Sequence, residues 1–475
     1  MLKRLSKCKS FKDIYQSFGE RGFSKGAGTM LKIFLVSPLI AGAINHIMLS
    51  QYGNYYDAYE YNYYFMFVSN AIFFILSIFF ITYLIGKTKY KKLPFGQIFS
   101  EIKRDEFWLL FWISLLVWGF ITTIASANIR GAFWGATELS SGYISHIFTL
   151  CVMGCAYLAS TEQRKELIRI YIIVSDILAI IMLGYQYDIP FVSGFSAAPG
   201  CSVFTNSNHY GYYICVAALC LAGMFFLETE NLQNADKRKS NIYIASFAVH
   251  MWALMINDTL GAYFGVVFGL IALMILWKVR TTKLGLKRWI PALLVVLFTF
   301  LSFVGIISSK LGSTIGPSLV VFFKDMFSVA QQSEGYEQAG TNRIALWKET
   351  IAAIKKRPIL GYGPDVMYDK DKQWVISLTP HNEYLECAFF MGIPGGILYL
   401  GGLISLFISR IKKLKTLPLT MLISAGAVIA YLVSAFFGVR KYHTAPYLFM
   451  FVGFLMFKKE EESKKKKKTK KDKTK

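Results

Sequence analysis

The sequence is short of the features that mark most other chemistries. No CxxC pair of the zinc-binding kind occurs, although there are seven cysteines: Cys8, Cys151, Cys155, Cys201, Cys215, Cys220 and Cys387. Most of them fall inside apolar runs, where cysteine behaves as a small hydrophobe, and Cys151 and Cys155, one helical turn apart, read as packing residues. No cluster of carboxylates suggests a divalent-cation site, so no metal and no cofactor is expected. No cleavable leader is expected, because the first 29 residues are basic and polar and the first apolar run is long enough to span and stay. No internal repeat is visible. Histidine is scarce, with six in 475 residues.

What is present is apolar. Hydrophobic residues make up 54% and aromatics 16% of the chain, and the mean hydropathy is +0.42. That is too apolar for a soluble protein of this length. The net charge of +23 does not indicate nucleic acid, because the basic residues flank apolar runs or sit in a C-terminal lysine run with no interleaved aromatics. That run, Ser463 to Lys475, reads as a solvated tail near anionic lipid.

A helix needs about 20 apolar residues to cross a bilayer. On that criterion spans are expected at 30–49, 64–85, 107–127, 142–160, 167–187, 209–227, 241–256, 260–278, 289–308, 382–409, 416–437 and 443–457. The fold class is therefore all-α: a polytopic membrane protein with about twelve transmembrane helices. The divisions are a basic segment 1–29, spans one to nine over 30–308, a long loop 309–381, spans ten to twelve over 382–457, and the tail 458–475. Lysine and arginine gather after every even-numbered span, while the loops 50–63 and 188–208 have neither. The charge bias puts both termini in the cytoplasm and the loop 309–381 outside the cytoplasmic membrane.

That loop interrupts the alternation of apolar spans and short connections. Two amphipathic helices are expected in it, one over Pro317–Gln332 and one opening at Arg343 with Asn342 as its cap. Arg343 and Trp347, four apart, share a face. Arginine suits a diphosphate because its fork engages two oxygens at once. At the far end Thr379 reads as the N-cap, Pro380 as the first helical position, and His381 and Asn382 as the first turn of span ten, with free N–H groups for a phosphate. The helix dipole would keep His381 neutral and able to accept a proton. Glu383 and Glu386 follow; Glu386, inside an apolar span, needs a partner. Asp176 in span five is expected to hold a structural hydrogen bond, and Gly392, Gly395, Gly396, Gly401 and Gly402 to permit close helix packing. Asn206, Asn208 and His209 lead into span six, where such groups either bind sugar hydroxyls or order the loop. Arg130, Arg440 and Lys441 are cations on the outer side, against the usual bias.

Three blocks carry a resemblance. They are Phe204-Thr205-Asn206-Ser207-Asn208-His209 before a span; Arg343-Ile344-Ala345-Leu346-Trp347 followed by Pro358-Ile359-Leu360-Gly361-Tyr362-Gly363; and His381-Asn382-Glu383-Tyr384-Leu385 closing the loop. In this order they resemble the O-antigen ligase and polymerase family of membrane glycosyltransferases, over about residues 195–460. The resemblance implies transfer of a glycan from an undecaprenyl-diphosphate carrier to a glycan or lipid-linked acceptor on the outer face. Arg343 and His381 would be catalytic, and Asn382, Trp347, Asn206, Asn208, His209, Arg440 and Arg130 would bind substrate. The partners implied are the donor, the acceptor, the bilayer and polysaccharide-assembly proteins, with no nucleic acid. Capsule or exopolysaccharide polymerase is preferred to ligase. Two positions depart from the family: Asp258-Thr259-Leu260 stands where many members have an arginine, and Ser207 where a proline is usual. The second phosphate contact is left open among Arg130, Arg440 and Lys441. The alternative function is a transporter or flippase of lipid-linked glycan, which would carry charges within its spans and related halves.

Overall fold

A computed structural model describes residues 11–52, 58–90, 106–137, 140–229, 237–281 and 342–456. Among them the architecture is helical, with no strand beyond the isolated bridges Ala198–Ser202 and Tyr368–Trp374. In chain order the helices are α1 (Phe11–Tyr52), α2 (Ala58–Tyr90), α3 (Leu109–Ile124), α4 (Ile129–Trp134), α5 (Tyr143–Leu158), α6 (Thr161–Gln186) and α7 (Ser207–Thr229). They continue with α8 (Lys237–Asn257), α9 (Leu260–Thr281), α10 (Arg343–Lys356), α11 (Glu383–Ile411), α12 (Leu419–Ser434) and α13 (Ala445–Phe454).

Seven helices, α1, α2, α6, α7, α9, α11 and α12, are long and apolar enough to cross a bilayer. The shorter apolar helices α3, α5 and α13 fall on three further expected spans, and α8 on another. The ninth expected span, 289–308, and the amphipathic run Pro317–Gln332 lie outside the described residues, so the count of twelve is not fixed here. The protein is an all-helical polytopic membrane protein. α1 begins at Phe11, well before residue 30, and has a non-helical break at Gly19.

α7 is the centre of the bundle. It is apolar on all sides, and Tyr210, Tyr212 and Tyr213 are buried in it, as expected of a helix enclosed by others. α8, α9 and α12 pack around it, and α9 lies along α12. The outer helices keep one apolar stripe uncovered: on α11 it runs through Ile393, Ile397, Leu400, Ile404, Ile408 and Ile411. Spacing of three and four along an exposed apolar stripe is what a lipid-facing helix requires.

Several polar groups inside the bundle are paired. Asp176 accepts a hydrogen bond from Ser246 Oγ at 2.5 Å, in line with the structural role expected of it. Glu383 Oε1 accepts from Tyr431 OH at 2.8 Å, and Glu386 Oε2 from the Arg440 backbone N–H at 3.1 Å. Arg164 is a four-way clasp. Its guanidinium donates to the carbonyls of Ala159, Tyr157, Phe454 and Met456 at 3.1, 3.1, 2.8 and 3.2 Å. It thereby satisfies carbonyls at the C-terminal ends of α5 and α13, which have no partner within their own helices.

The glycines of α11 serve two purposes. Gly401 and Gly402 admit α3, since a Cβ on either would lie 2.6 Å from Phe111 or Trp112. Gly392 is different: at φ 70° and ψ 174° it breaks the helix. The segment Pro358–Gly363 docks into that break. Tyr362 N–H donates to Phe389 O at 3.2 Å, Gly363 N–H to Phe390 O at 2.8 Å, and Ile393 N–H to Pro358 O at 2.8 Å. Trp118 Nε1 donates to Met391 O at 2.7 Å. Backbone groups freed by a break at membrane depth must find partners in protein, and here the loop and α3 supply them.

Candidate active site

α10 lies against α11, and Trp347 fixes the contact. Its indole N–H donates to Pro380 O at 2.8 Å, and its ring meets Phe436 edge-on at 5.6 Å. Glu349, two residues further on, accepts from Ser377 N–H at 3.0 Å and Ser377 Oγ at 2.8 Å. The helix that carries Arg343 is therefore stitched to the strip of chain that leads into His381. Asn342 is the capping position, as expected, but it is left-handed at φ 64° and makes no side-chain cap bond.

The start of α11 differs from the sequence reading. Asn382, not Thr379, is the N-cap: its Oδ1 accepts from Tyr384 N–H at 3.0 Å and Leu385 N–H at 3.1 Å. Asparagine outcompetes the upstream threonine because its carbonyl reaches the second and third N–H groups of the first turn. Those N–H groups are thus occupied, and the notion that they are free for a phosphate is corrected. His381 stands just outside the helix at φ 50°. Its Nδ1 lies 2.9 Å from Thr379 O. A carbonyl only accepts, so Nδ1 carries the proton and Nε2 keeps its lone pair. Burial first, and the Arg343 charge second, lower the His381 pKa from 6.5, while the bond to Thr379 works the other way. The imidazole is neutral near pH 7 for those reasons rather than through the helix dipole.

The block before α7 forms the opposite wall. Asn206 Oδ1 accepts the Asn208 N–H at 2.8 Å in an Asx turn. Asn257, at the α8–α9 junction, holds the loop by donating to Gly200 O at 2.7 Å and Ser207 O at 2.9 Å. His209 is 2% exposed, and neither of its ring nitrogens has a hydrogen-bond partner among the described residues. The His443 ring stands edge-on to it at 5.1 Å, and Lys441 Nζ donates to Thr205 Oγ1 at 3.4 Å.

Between these walls is a cavity of about 660 Å³, lined by Asn208, Asn342, Arg343, Glu349, Ser377 and His381 among others. Three of the nine residues proposed from sequence, Arg343, His381 and Asn208, meet there. Burial lowers the Arg343 pKa from its usual value, but a guanidinium remains a cation in any protein. Its Nε is buried with no hydrogen-bond partner among the described residues. A half-buried guanidinium at the wall of a cavity has the chemistry to hold an anion.

The other proposed residues sit elsewhere or do other work. Trp347 and Asn382 spend their polar atoms holding the frame. Arg440 is inside the bundle, with Nη1 2.8 Å from His146 Nδ1, and does not line this cavity. Arg130 lines a separate one. Glu349, Ser377 and Asn257 were missed; none belongs to a motif, and only folding brings them together. Asp365 was missed as well. It is 0% exposed and accepts from Ala136 N–H at 2.8 Å, Thr137 N–H at 3.0 Å and Thr137 Oγ1 at 2.5 Å.

A family model described as O-antigen ligase matches residues 245–400. The match takes in Arg343, the Pro358–Gly363 block and His381, and it supports the likeness to the O-antigen ligase and polymerase family. It supports in turn a ligase- or polymerase-type function on surface polysaccharide. No curated protein matches the chain.

Proposed function

We propose that the protein extends surface polysaccharide on the outer face of the cytoplasmic membrane, as a capsule or exopolysaccharide polymerase that uses undecaprenyl-diphosphate-linked glycan as donor. The observation that carries this reading is the shared cavity, lined both by a half-buried guanidinium whose Nε has no partner among the described residues and by a histidine whose Nδ1 alone is engaged. His381 Nε2 takes the proton of the acceptor hydroxyl as its oxygen attacks the anomeric carbon. The new C–O bond forms as the bond to the diphosphate oxygen breaks, and the electron pair leaves on undecaprenyl diphosphate. Arg343 stabilises that charge. Of the remaining cations, Lys441 is the one bonded to Thr205, in the block that also carries the cavity residue Asn208, and we assign it the second phosphate contact.

A lipid carrier also needs an apolar berth. A groove of about 440 Å³ between α9, α11 and α12 has only apolar lining, from Phe264, Phe268, Tyr384, Leu432, Phe436 and others. Phe436 touches Trp347, so the groove reaches the helix that holds Arg343. A polyprenyl chain fits such a groove with its diphosphate at the guanidinium.

The test is transfer by the purified protein in nanodiscs, with lipid-linked repeat unit as donor. His381→Ala and Arg343→Gln are expected to insert normally and to lose long glycan. Full transfer by His381→Ala removes the base from the mechanism. Flipping of lipid-linked glycan by protein without transfer would instead support the transporter reading.

A further inference from the structure

A second cavity, of about 530 Å³, opens at α4, lined by Asn128, Arg130, Trp134 and the backbone near Gly131, Gly135 and Ala136. It is joined to the loop that ends in His381 by two ties. Asp365 gathers the Ala136 and Thr137 donors, and Asn128 Nδ2 donates to Tyr368 OH. Tyr368 in turn pairs with Trp374 across a short hairpin, ring edge to ring face at 6.1 Å.

This strip leaves two indoles in the open. Trp134 is 62% exposed and Trp374 66% exposed. Trp374 follows Asp369-Lys370-Asp371-Lys372-Gln373, of which 370–373 are exposed. A hairpin with that density of charge lies outside the hydrocarbon core, where its indole can meet a water-borne ligand. Arg130 is exposed and has no hydrogen-bond or ion-pair partner among the described residues. Tyr368 OH, already an acceptor from Asn128, still has its own proton to donate.

Exposed aromatic faces beside undirected polar donors suit one class of ligand. A pyranose has an apolar C–H face that stacks on an indole and a rim of hydroxyls that accept from arginine and tyrosine. We propose that Trp134, Arg130, Tyr368 and Trp374 form a binding strip for the polysaccharide chain, several sugars away from the reacting one. The inference rests on the reading of the protein as a glycan-extending enzyme and adds where the chain is held. Because the strip and His381 share one loop, a chain held on it stays with the enzyme between transfers.

The test uses the full-length protein in nanodiscs and, as probe, lipid-free oligosaccharides of several repeat units cut from the producing cell's own surface polysaccharide. Binding is followed by calorimetry. Trp134→Ala and Trp374→Ala are expected to raise Kd by about tenfold or more, Trp374→Phe to keep most of the affinity, and His381→Ala to bind as wild type while losing transfer. Unchanged affinity in both alanine variants overturns the strip, as does wild-type protein that transfers glycan but does not bind the probe. Looser retention of the alanine variants in the bilayer with unchanged probe affinity also overturns it, in favour of membrane anchoring. Wild-type protein that binds the probe through these residues but transfers nothing overturns the enzymatic reading and leaves the strip standing.

Discussion

Replacing Gly392 by alanine tests whether the broken helix holds the active loop. The backbone there, at φ 70° and ψ 174°, belongs to a region that only glycine occupies readily, and a side chain in it costs about 1–3 kcal/mol. The new Cβ would stand 1.9 Å from Ile359 O and 2.9 Å from Pro358 O, so the docked segment must withdraw. Withdrawal breaks the bonds from Tyr362, Gly363 and Ile393, each about 1 kcal/mol net. Together the two effects come to roughly 4–6 kcal/mol, or about three to four decades in the docking equilibrium. Arg343 and His381 flank the withdrawn segment, so transfer should fall to background while the protein remains in the membrane. Gly396→Ala is the control. Its Cβ would meet nothing closer than Ala388 Cβ at 3.4 Å, and alanine favours a helix by up to about 1 kcal/mol. Thermal unfolding in detergent, limited proteolysis of the loop and transfer would be measured on both variants. Gly392→Ala with wild-type melting and transfer, or Gly396→Ala with equal damage, refutes the reasoning.

Three further outcomes follow from the site. Since His381 must be unprotonated to act and its pKa is lowered from 6.5 by burial and Arg343, the acid limb of kcat lies below pH 6.5; in Arg343→Gln any residual transfer shows that limb moved upward. Trp347→Phe keeps the ring but strands Pro380 O, a loss of about 1–3 kcal/mol, and kcat should drop about tenfold with insertion unchanged, as read by initial rates at saturating donor. Asp365→Ala leaves the Ala136 and Thr137 donors without their acceptor and should destabilise the protein by about 3 kcal/mol, seen as a lower Tm and loss of the long product before loss of insertion.

The helical class and the positions of the spans were legible because lipid demands long apolar runs, and the two residues with the clearest chemistry, Arg343 and His381, were legible because motifs carry them. Cap geometry was not. Thr379 and Asn382 are both good capping residues, and only the left-handed turn at His381 decides between them. The cations were also illegible individually. Arg440 and Lys441 are neighbours in sequence, yet one faces His146 and the other Thr205, in the block before α7. Gly392 stands among other glycines and reads as packing like them, because nothing local says that a segment some thirty residues earlier will enter the helix.

The Arg164 clasp has a consequence in time. Its guanidinium sits near the start of α6, but two of its four acceptors, Phe454 O and Met456 O, come from the last described helix. During synthesis the arginine must wait, hydrated at the bundle's edge, until nearly the whole chain has emerged. Its final hydrogen bonds therefore act as a completion signal: a chain halted before Phe454 leaves a charge that cannot be buried, and such a product stays open to surveillance proteases while the finished one closes.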